Sequence, residues 1–71
     1  MAFSDNLQYL RTRQNLTQEQ LAEQLDVSRQ SVSKWEGGQS FPEMDTILRL
    51  CDLFSVSLDT LLRGDAAAEA Q

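Results

Sequence analysis

Hydrophobic residues recur along this chain at intervals of three and four, the spacing that places side chains on one face of a helix. Phe3, Leu7 and Leu10 form the first such stripe. Ser4 is predicted to be the N-cap of this helix, because its hydroxyl can accept a hydrogen bond from a free backbone N–H group, and Asn15 is predicted to end it. No segment shows the alternation of period two that would indicate a β-strand.

Two more helices are predicted on either side of a very short turn. Thr17 and Gln20 have the spacing of a capping box, in which the hydroxyl and the amide each satisfy a free backbone group at a helix N-terminus. After a gap of two residues, Ser28 is predicted to cap the third helix, which the glycines at 37–38 end. The apolar faces of the two helices are formed by Leu21, Ala22, Leu25, Val32 and Trp35.

The last part of the chain is predicted to contain a fourth and a fifth helix. Pro42 suits the entry of the fourth helix, and Ser57 is predicted to cap the fifth. The inner stripe of the fourth helix is predicted to be Met44, Ile47, Leu48, Cys51 and Phe54, and the fifth helix carries Leu58, Leu61 and Leu62. The predicted fold class is therefore all-α, a compact bundle of five short helices over residues 1–63, followed by a flexible polar tail or linker over residues 64–71.

Length and composition exclude several kinds of chemistry. The 71 residues suffice for one domain with a modest core. No apolar run is long enough to cross a bilayer and the first ten residues lack a secretory pattern, so we expect a cytoplasmic protein that makes no membrane contact. With one cysteine and no histidine, no internal disulfide, no metal site and no other cofactor is expected. Cys51 is interpreted as a packing residue.

The formal net charge of −5 disfavours binding to a negatively charged partner, unless the acidic residues lie away from the binding surface. The acidic side chains are concentrated towards the C-terminus, because residues 42–71 contain two arginines against six acidic residues. Residues 11–41 balance four basic side chains against four acidic ones. The middle of the chain therefore remains free to approach a polyanion such as DNA.

The turn between the second and third helices is too short for an antiparallel hairpin and is typical of two helices that cross steeply. A set of residues at fixed spacing accompanies it: Leu16-Thr17-Gln18, Leu21-Ala22, Leu25, Val27, Val32, Trp35-Glu36, Pro42, Val56-Ser57-Leu58 and Leu61-Leu62. Over residues 4–63 the chain thereby resembles the Cro/C1-type helix-turn-helix regulators of bacteria and phages, the xenobiotic-response-element family. Asp26 departs from the family, which usually has glycine in this turn with positive φ, and Asp tolerates that conformation better than most residues.

The resemblance implies a lambda-repressor-like fold and sequence-specific binding of double-stranded DNA, with residues 28–36 as the recognition helix. If Val32 and Trp35 point inward, the opposite face of this helix is polar and almost free of acid. Amide and basic side chains there can bond the edges of adenine and guanine. In the family, the matching positions touch bases, and here they are occupied by Arg29, Gln30, Ser33 and Lys34. Lys34 equally suits a phosphate contact.

Contacts to the DNA backbone are predicted around this face. Gln18 stands at the first turn of the second helix, where the family uses the matching glutamine to bind phosphate. The other predicted phosphate contacts are Thr17, Ser28, Gln39, Ser40 and Arg13.

Arg11 and Glu36 have a different role, because the resemblance implies that they form an internal salt bridge. Trp35 is interpreted as a core residue and not as a platform for stacking on bases.

Two functions of different kinds remain open from the sequence. The favoured one is a repressor-like transcriptional regulator that binds a two-fold symmetric operator as a homodimer, since one recognition helix contacts too few base pairs for genomic selectivity. The alternative is a protein-interaction module, such as an antitoxin or an inhibitor of another regulator, whose acidic C-terminal half would suit a basic partner. An enzyme is not expected, because the chain lacks histidine, clustered carboxylates and a glycine-rich phosphate loop.

Overall fold

The computed structural model describes residues 1–69, and every regular element within that range is a helix. The helices are α1 (Phe3–Arg13), α2 (Gln18–Leu25), α3 (Arg29–Glu36), α4 (Met44–Phe54), α5 (Leu58–Arg63) and α6 (Ala66–Glu69). None of the described helices is long and apolar enough to span a bilayer. The all-α prediction is confirmed, and α6 is an additional helix that the sequence did not predict.

One hydrophobic core lies between the helices. The predicted stripe of α1 is buried, and so are the apolar faces predicted for α2 and α3. Trp35 keeps only 6% of its surface exposed, which confirms its interpretation as a core residue. Helix α3 packs against α2 and α1, while α1 also packs against α5 and α6. α1 thus connects the helix pair α2–α3 to α5 and α6.

Helix α1 begins two residues earlier than a cap at Ser4 would allow. Its N-cap is Ala2, and Ser4 lies within the first turn, so the predicted cap was wrong. The side chain of Asp5 accepts a hydrogen bond from the Ala2 backbone N–H at 3.3 Å, which is half of a capping box. The predicted end is confirmed, because α1 stops at Arg13 and Asn15 adopts a left-handed conformation with φ 59°.

The caps of α2 and α3 agree with the sequence prediction. The Thr17 hydroxyl accepts from the Gln20 backbone N–H at 3.0 Å, and the Gln20 side chain accepts from the Thr17 N–H at 2.8 Å. Ser28 accepts from the backbone N–H of Ser31 at 3.1 Å. Asp26, between the helices, has φ 58° and ψ 45°, the left-handed conformation in which the family usually has glycine. The turn of α2–α3 is therefore formed despite a side chain that disfavours it.

Replacing Asp26 with glycine is expected to stabilise the protein by about 1 kcal/mol, because glycine adopts the left-handed conformation without a steric penalty. The substitution also removes a negative charge from the C-terminus of α2, where the helix dipole is unfavourable for anions. Ser55 provides a matched control, since it ends α4 at φ 54° without a charge. Urea unfolding of Asp26→Gly and Ser55→Gly measures both effects, and an Asp26→Gly protein less stable than the unmodified chain would contradict the strain argument.

The predicted inner stripe of α4 is only partly correct. Ile47 and Phe54 are buried and Cys51 packs at the edge of the core, but Met44 and Leu48 are exposed. Leu50, which the sequence analysis left out, is completely buried. The helix is rotated so that Ile47, Leu50 and Phe54 face inward, a spacing of three and four that the sequence permits equally well. Pro42 is buried and lies just before the N-cap Glu43, at the entry of α4 as predicted.

Residues 64–69 differ from the predicted flexible tail. Gly64 ends α5, and the chain continues into α6, whose first residue Ala66 is only 1% exposed. The amide of Asn6, buried on α1, donates to the carbonyl of Gly64 at 3.1 Å and accepts from the Ala66 N–H at 3.0 Å. This tertiary contact explains why a short segment of small residues is helical here. Residues 70–71 of the predicted tail lie outside the described residues.

Candidate nucleic-acid interface

Helix α3 is oriented by two side chains that point into the core. Val32 is completely buried and Trp35 nearly so. The helical period then directs the opposite face outward. The four side chains predicted to contact bases all lie on that face and all are exposed: Arg29, Gln30, Ser33 and Lys34. The structure thus brings the predicted base-contacting residues together on one accessible surface.

A salt bridge between Arg11 and Glu36 holds the C-terminal end of α3 in place. Arg11 of α1 donates from Nε to Oε2 of Glu36 at 2.6 Å and from Nη2 to Oε1 at 3.0 Å. The Glu36 side chain is only 5% exposed and that of Arg11 only 12%. Arg11 also donates to the carbonyl of Leu16, in the segment between α1 and α2, at 2.7 Å. The predicted salt bridge is present, and it fixes α3 relative to α1 and to the start of α2.

Gln18 belongs to the same network. Its side-chain Nε2 donates to Oε1 of Glu36 at 3.1 Å, and the residue is half-buried at the first position of α2. One N–H of the side-chain amide is therefore used within the protein. The backbone N–H groups of Gln18 and Glu19 have no partner within the helix, whereas that of Gln20 donates to the Thr17 hydroxyl. Any phosphate contact at this position would involve the backbone and the remaining surface of the side chain.

The other residues predicted to contact phosphate lie at the N-caps of α2 and α3, in the loop after α3 and, for Arg13, at the end of α1 beside a cavity lined by Phe54, Thr60 and Ala66. Thr17 and Ser28 are exposed N-cap residues whose oxygens already accept from the backbone of their own helices. Gln39 and Ser40 are exposed in the loop after α3. Arg13, at the end of α1, donates to the Tyr9 hydroxyl at 3.3 Å and lies 6.0 Å from the centre of that ring.

The charge of the α3 surface follows from these pairings. Glu36 is the only acidic residue in α3, and it is buried against Arg11. Arg29 and Lys34 are exposed on the face that also carries Gln30. The outward face of α3 is therefore basic and rich in hydrogen-bond donors although the whole chain has a net charge of −5.

Two polar residues that position these helices were not predicted from the sequence. Arg49 of α4 donates to the backbone carbonyls of Gln24 at 2.9 Å and Leu25 at 3.1 Å, at the C-terminus of α2. A cation at the C-terminus of a helix is stabilising, because it donates hydrogen bonds to the unpaired carbonyls and interacts favourably with the negative end of the helix dipole. The second residue, Asn6, was hidden within an apolar stripe. No short-range pattern connects either residue to its partners, which lie far away in the sequence.

Cys51 has no surroundings that would activate a thiol. Burial, and to a lesser degree the neighbouring Asp52, raises its pKa above the ordinary value. The thiol is therefore protonated near neutral pH and packs at the edge of the core, as a small apolar side chain would.

Comparisons with known proteins agree with this arrangement. A family model described as helix-turn-helix matches residues 7–61. The chain is 54% identical over 65 residues to the HTH-type transcriptional activator BcrR of Enterococcus faecalis, and the alignment covers 92% of the chain and 32% of BcrR. It is 31% identical over 71 residues to the cryptic phage CTXphi transcriptional repressor RstR of Vibrio cholerae, covering 100% of the chain and 63% of RstR.

A solved structure has the same fold. The P22 c2 repressor protein, in complex with a synthetic operator, superimposes with a TM-score of 0.85 at 26% identity, covering 92% of this chain and 98% of that one. The two curated relatives are longer proteins, of which this chain spans about a third and somewhat less than two thirds. The similarity therefore concerns only part of each relative.

Proposed function

The chain belongs to the Cro/C1-type helix-turn-helix family of DNA-binding transcriptional regulators, and from this premise we propose that it binds duplex DNA sequence-specifically through α3 in the major groove. One observation carries the proposal. Four exposed polar or basic side chains share the outward face of a helix whose only acidic residue is paired internally. A major groove admits one α-helix, and such side chains match its hydrogen-bonding groups.

The roles of individual residues follow from their places on α3. Arg29 and Gln30 are in the first turn, from which a recognition helix makes most of its base contacts. Arg29 would bond O6 and N7 of guanine, and Gln30 would bond N6 and N7 of adenine. Ser33 and Lys34 lie one turn further on and reach either a base edge or a phosphate. Each well-formed bidentate contact discriminates against a wrong base by about 1–3 kcal/mol.

Backbone contacts would fix the register of α3 without selecting a sequence. We assign them to the N-terminal turn of α2 at Gln18 and to the residues around it and after α3, namely Thr17, Ser28, Gln39, Ser40 and Arg13. Most of these groups are neutral, so phosphate binding would depend on hydrogen bonds more than on ion pairs. This suits a chain with six basic residues against eleven acidic ones.

The complete DNA-binding unit would contain two copies of the chain on an operator with two-fold symmetry. One α3 of eight residues is about 12 Å long and spans only a few base pairs. Two helices one turn of DNA apart would double the site and raise its selectivity. Because the proposed target is DNA, we expect the protein to act in the cytoplasm. Its proposed role there is to regulate transcription from the operator that it binds.

Sequence enrichment tests this function. Randomised duplex DNA is selected on the purified protein at moderate salt, and the selection is repeated with Arg29→Ala, Gln30→Ala. The unmodified protein is expected to enrich a two-fold symmetric sequence. The double variant should bind that sequence at least about thirtyfold more weakly, because two base contacts of about 1 kcal/mol or more each are lost.

Glu23→Ala, Gln24→Ala provides a matched control, because both residues are exposed on α2 outside the proposed interface. This variant should enrich the same sequence as the unmodified protein. Circular dichroism should show that all three proteins are equally helical. Failure of the unmodified protein to enrich any sequence, even at low salt, would refute DNA recognition. Equal enrichment by the Arg29→Ala, Gln30→Ala variant would show that α3 does not read the sequence.

A further inference from the structure

A cavity of about 550 Å³ lies where α1, α4, α5 and α6 meet. Its apolar lining is formed by Leu10, Phe54, Val56 and Ala66. None of the lining residues that the structure describes belongs to α3, so the cavity is separate from the proposed recognition face. Small-molecule sites in proteins have volumes of roughly 300–1,000 Å³ and combine apolar walls with a few polar groups. The cavity therefore has the size of a site for a small ligand.

The polar groups around the cavity favour a positive charge. Gln14 is the C-cap of α1 and Ser55 is the C-cap of α4, and both residues line the cavity. The C-terminus of a helix carries a partial negative charge, because its last carbonyl groups lack partners within the helix. Glu69 of α6, also a lining residue, adds the full negative charge of a carboxylate. A ligand in the cavity would therefore meet two helix ends and one acid.

The Glu69 carboxylate is held by a chain of hydroxyl groups. Ser57 Oγ donates to Thr60 Oγ1 at 2.9 Å, and Thr60 Oγ1 donates to Oε1 of Glu69 at 2.9 Å. All three residues line the cavity, and Glu69 is exposed. A carboxylate has lone pairs for about four hydrogen bonds. Glu69 can therefore pair with a ligand cation while it keeps its hydrogen bond from Thr60.

Arg13 is a lining residue of the opposite charge. Its guanidinium donates to the Tyr9 hydroxyl at 3.3 Å and lies 6.0 Å from the centre of the Tyr9 ring, so part of its interaction is with α1 itself. The whole chain has a net charge of −5, and its field attracts a cation and repels an anion. Together with Glu69 and the two helix ends, this field makes a cation the favoured ligand.

We propose that the cavity binds a small amphipathic cation, an ammonium group on an apolar body. The apolar body packs against the lining formed by Leu10, Phe54 and Val56, and the ammonium group pairs with Glu69. Two lining residues, Ala66 and Glu69, belong to α6. The ligand therefore binds the form in which α6 is docked and stabilises that form by mass action. The site is independent of the proposed DNA contacts of α3 and links a chemical signal to the docking of α6.

Titration of the protein with phenethylammonium tests the charge and the place of the site. Phenethyl alcohol and hydrocinnamate, a neutral and an anionic molecule of similar size, are the comparison probes. Amide chemical shifts followed by NMR should saturate with phenethylammonium and change most around Leu10, Ser57 and Ala66. The alcohol should bind about tenfold more weakly, because it lacks the attraction of the carboxylate and of the helix ends. Hydrocinnamate that binds as tightly as phenethylammonium would overturn the proposal, because Arg13 would then determine the choice of ligand.

Glu69→Gln separates the carboxylate from the shape of the cavity. The amide oxygen can still accept from Thr60, so α6 should remain docked while phenethylammonium binds about fivefold more weakly, as expected for one exposed ion pair. Asp52→Asn is the matched control, because it removes the same charge from an exposed position of α4 outside the cavity lining. It should change the affinity by less than about twofold. Equal losses in the two variants would show attraction by the net charge alone and would overturn the assignment to this cavity.

Hydrogen exchange of the amides of residues 66–69 tests the link to α6. If the ligand binds only the docked form, exchange should slow about elevenfold when phenethylammonium is present at about ten times its Kd. Amides at the exposed start of α2 should exchange at an unchanged rate. Saturable binding without slower exchange at residues 66–69 would contradict the proposed link. None of these measurements uses DNA, so this proposal and the proposed function can fail independently.

Discussion

Replacing Arg11 with alanine is expected to remove most of the stability of this domain. The guanidinium donates twice to Glu36 and once to the carbonyl of Leu16. Without it, the Glu36 carboxylate, only 5% exposed, keeps just the hydrogen bond from Gln18. Breaking a buried pair from one side costs about 3–5 kcal/mol, because the remaining charge is not solvated. A domain of this size has roughly that much net stability, so the variant should be largely unfolded at room temperature.

The chain contains a control for this effect. Arg63 and Asp59 also form a salt bridge, but their side chains are 81% and 68% exposed and lie four residues apart on α5. Arg63→Ala should cost at most about 0.5 kcal/mol, as exposed pairs of this kind do. Thermal and urea unfolding followed by circular dichroism compare the two variants. Equal losses of stability in Arg11→Ala and Arg63→Ala would show that burial does not increase the contribution of the Arg11–Glu36 pair to the stability of the fold.

Asn6→Ala is the second substitution with a large expected effect. The Asn6 side chain is completely buried, and Nδ2 lies 3.1 Å from each of the backbone carbonyls of Thr60, Leu61 and Gly64. The side-chain oxygen accepts from the backbone of Ala66. Each buried group left without a partner costs about 1–3 kcal/mol, partly offset where water can enter. We therefore expect a loss of about 3 kcal/mol and separation of α6 from α1.

Two further variants show whether the effect of Asn6→Ala comes from its lost hydrogen bonds. Asn6→Asp keeps the shape of the side chain but directs a carboxylate at three carbonyl oxygens, so it should also destabilise the fold strongly without creating a cavity. Gln8→Ala changes an exposed side chain of the same helix and should have little effect. Hydrogen exchange of the amides of residues 66–69 reports the docking of α6. Unchanged protection of these amides in Asn6→Ala would show that other contacts hold α6.

If both substitutions behave as expected, two polar clusters on α1 hold α3 on one side and the C-terminal helices on the other. The Arg11–Glu36 pair joins α1 to the last turn of α3, while Asn6 joins α1 to α5 and α6. Helix α1 would then act as the support for the DNA-binding helix without any contact to DNA of its own from these residues. Loss of DNA binding in either variant would be a consequence of unfolding, which separates it from the effect of Arg29→Ala, Gln30→Ala.

Local signals in the sequence predicted the helix-turn-helix well. The capping box of Thr17 and Gln20 and the cap at Ser28 involve residues three apart, so their hydrogen bonds depend on local geometry alone. The positive φ of Asp26 was implied by the resemblance to the Cro/C1-type family, which usually has glycine at this place in the turn. Val32 and Trp35, spaced by three, were enough to identify which face of α3 turns outward.

Periodicity was less informative where a helix has more apolar residues than its buried face accommodates. Helix α4 has hydrophobic side chains at many of its positions, so two stripes of spacing three and four are possible. The neighbours of α4 select the stripe with Leu50 and leave Met44 and Leu48 in solvent.

The sequence by itself determined the all-α class, the caps of α2 and α3 and the outward face of α3, because each depends on residues within one or two helical turns. Only the tertiary structure decided which side of α4 is buried, how Asn6 orders residues 64–69, and that Arg49 closes the end of α2. These contacts join groups more than twenty residues apart. Their free energy depends on desolvation and on the simultaneous position of several helices, and no local pattern of residues encodes those quantities.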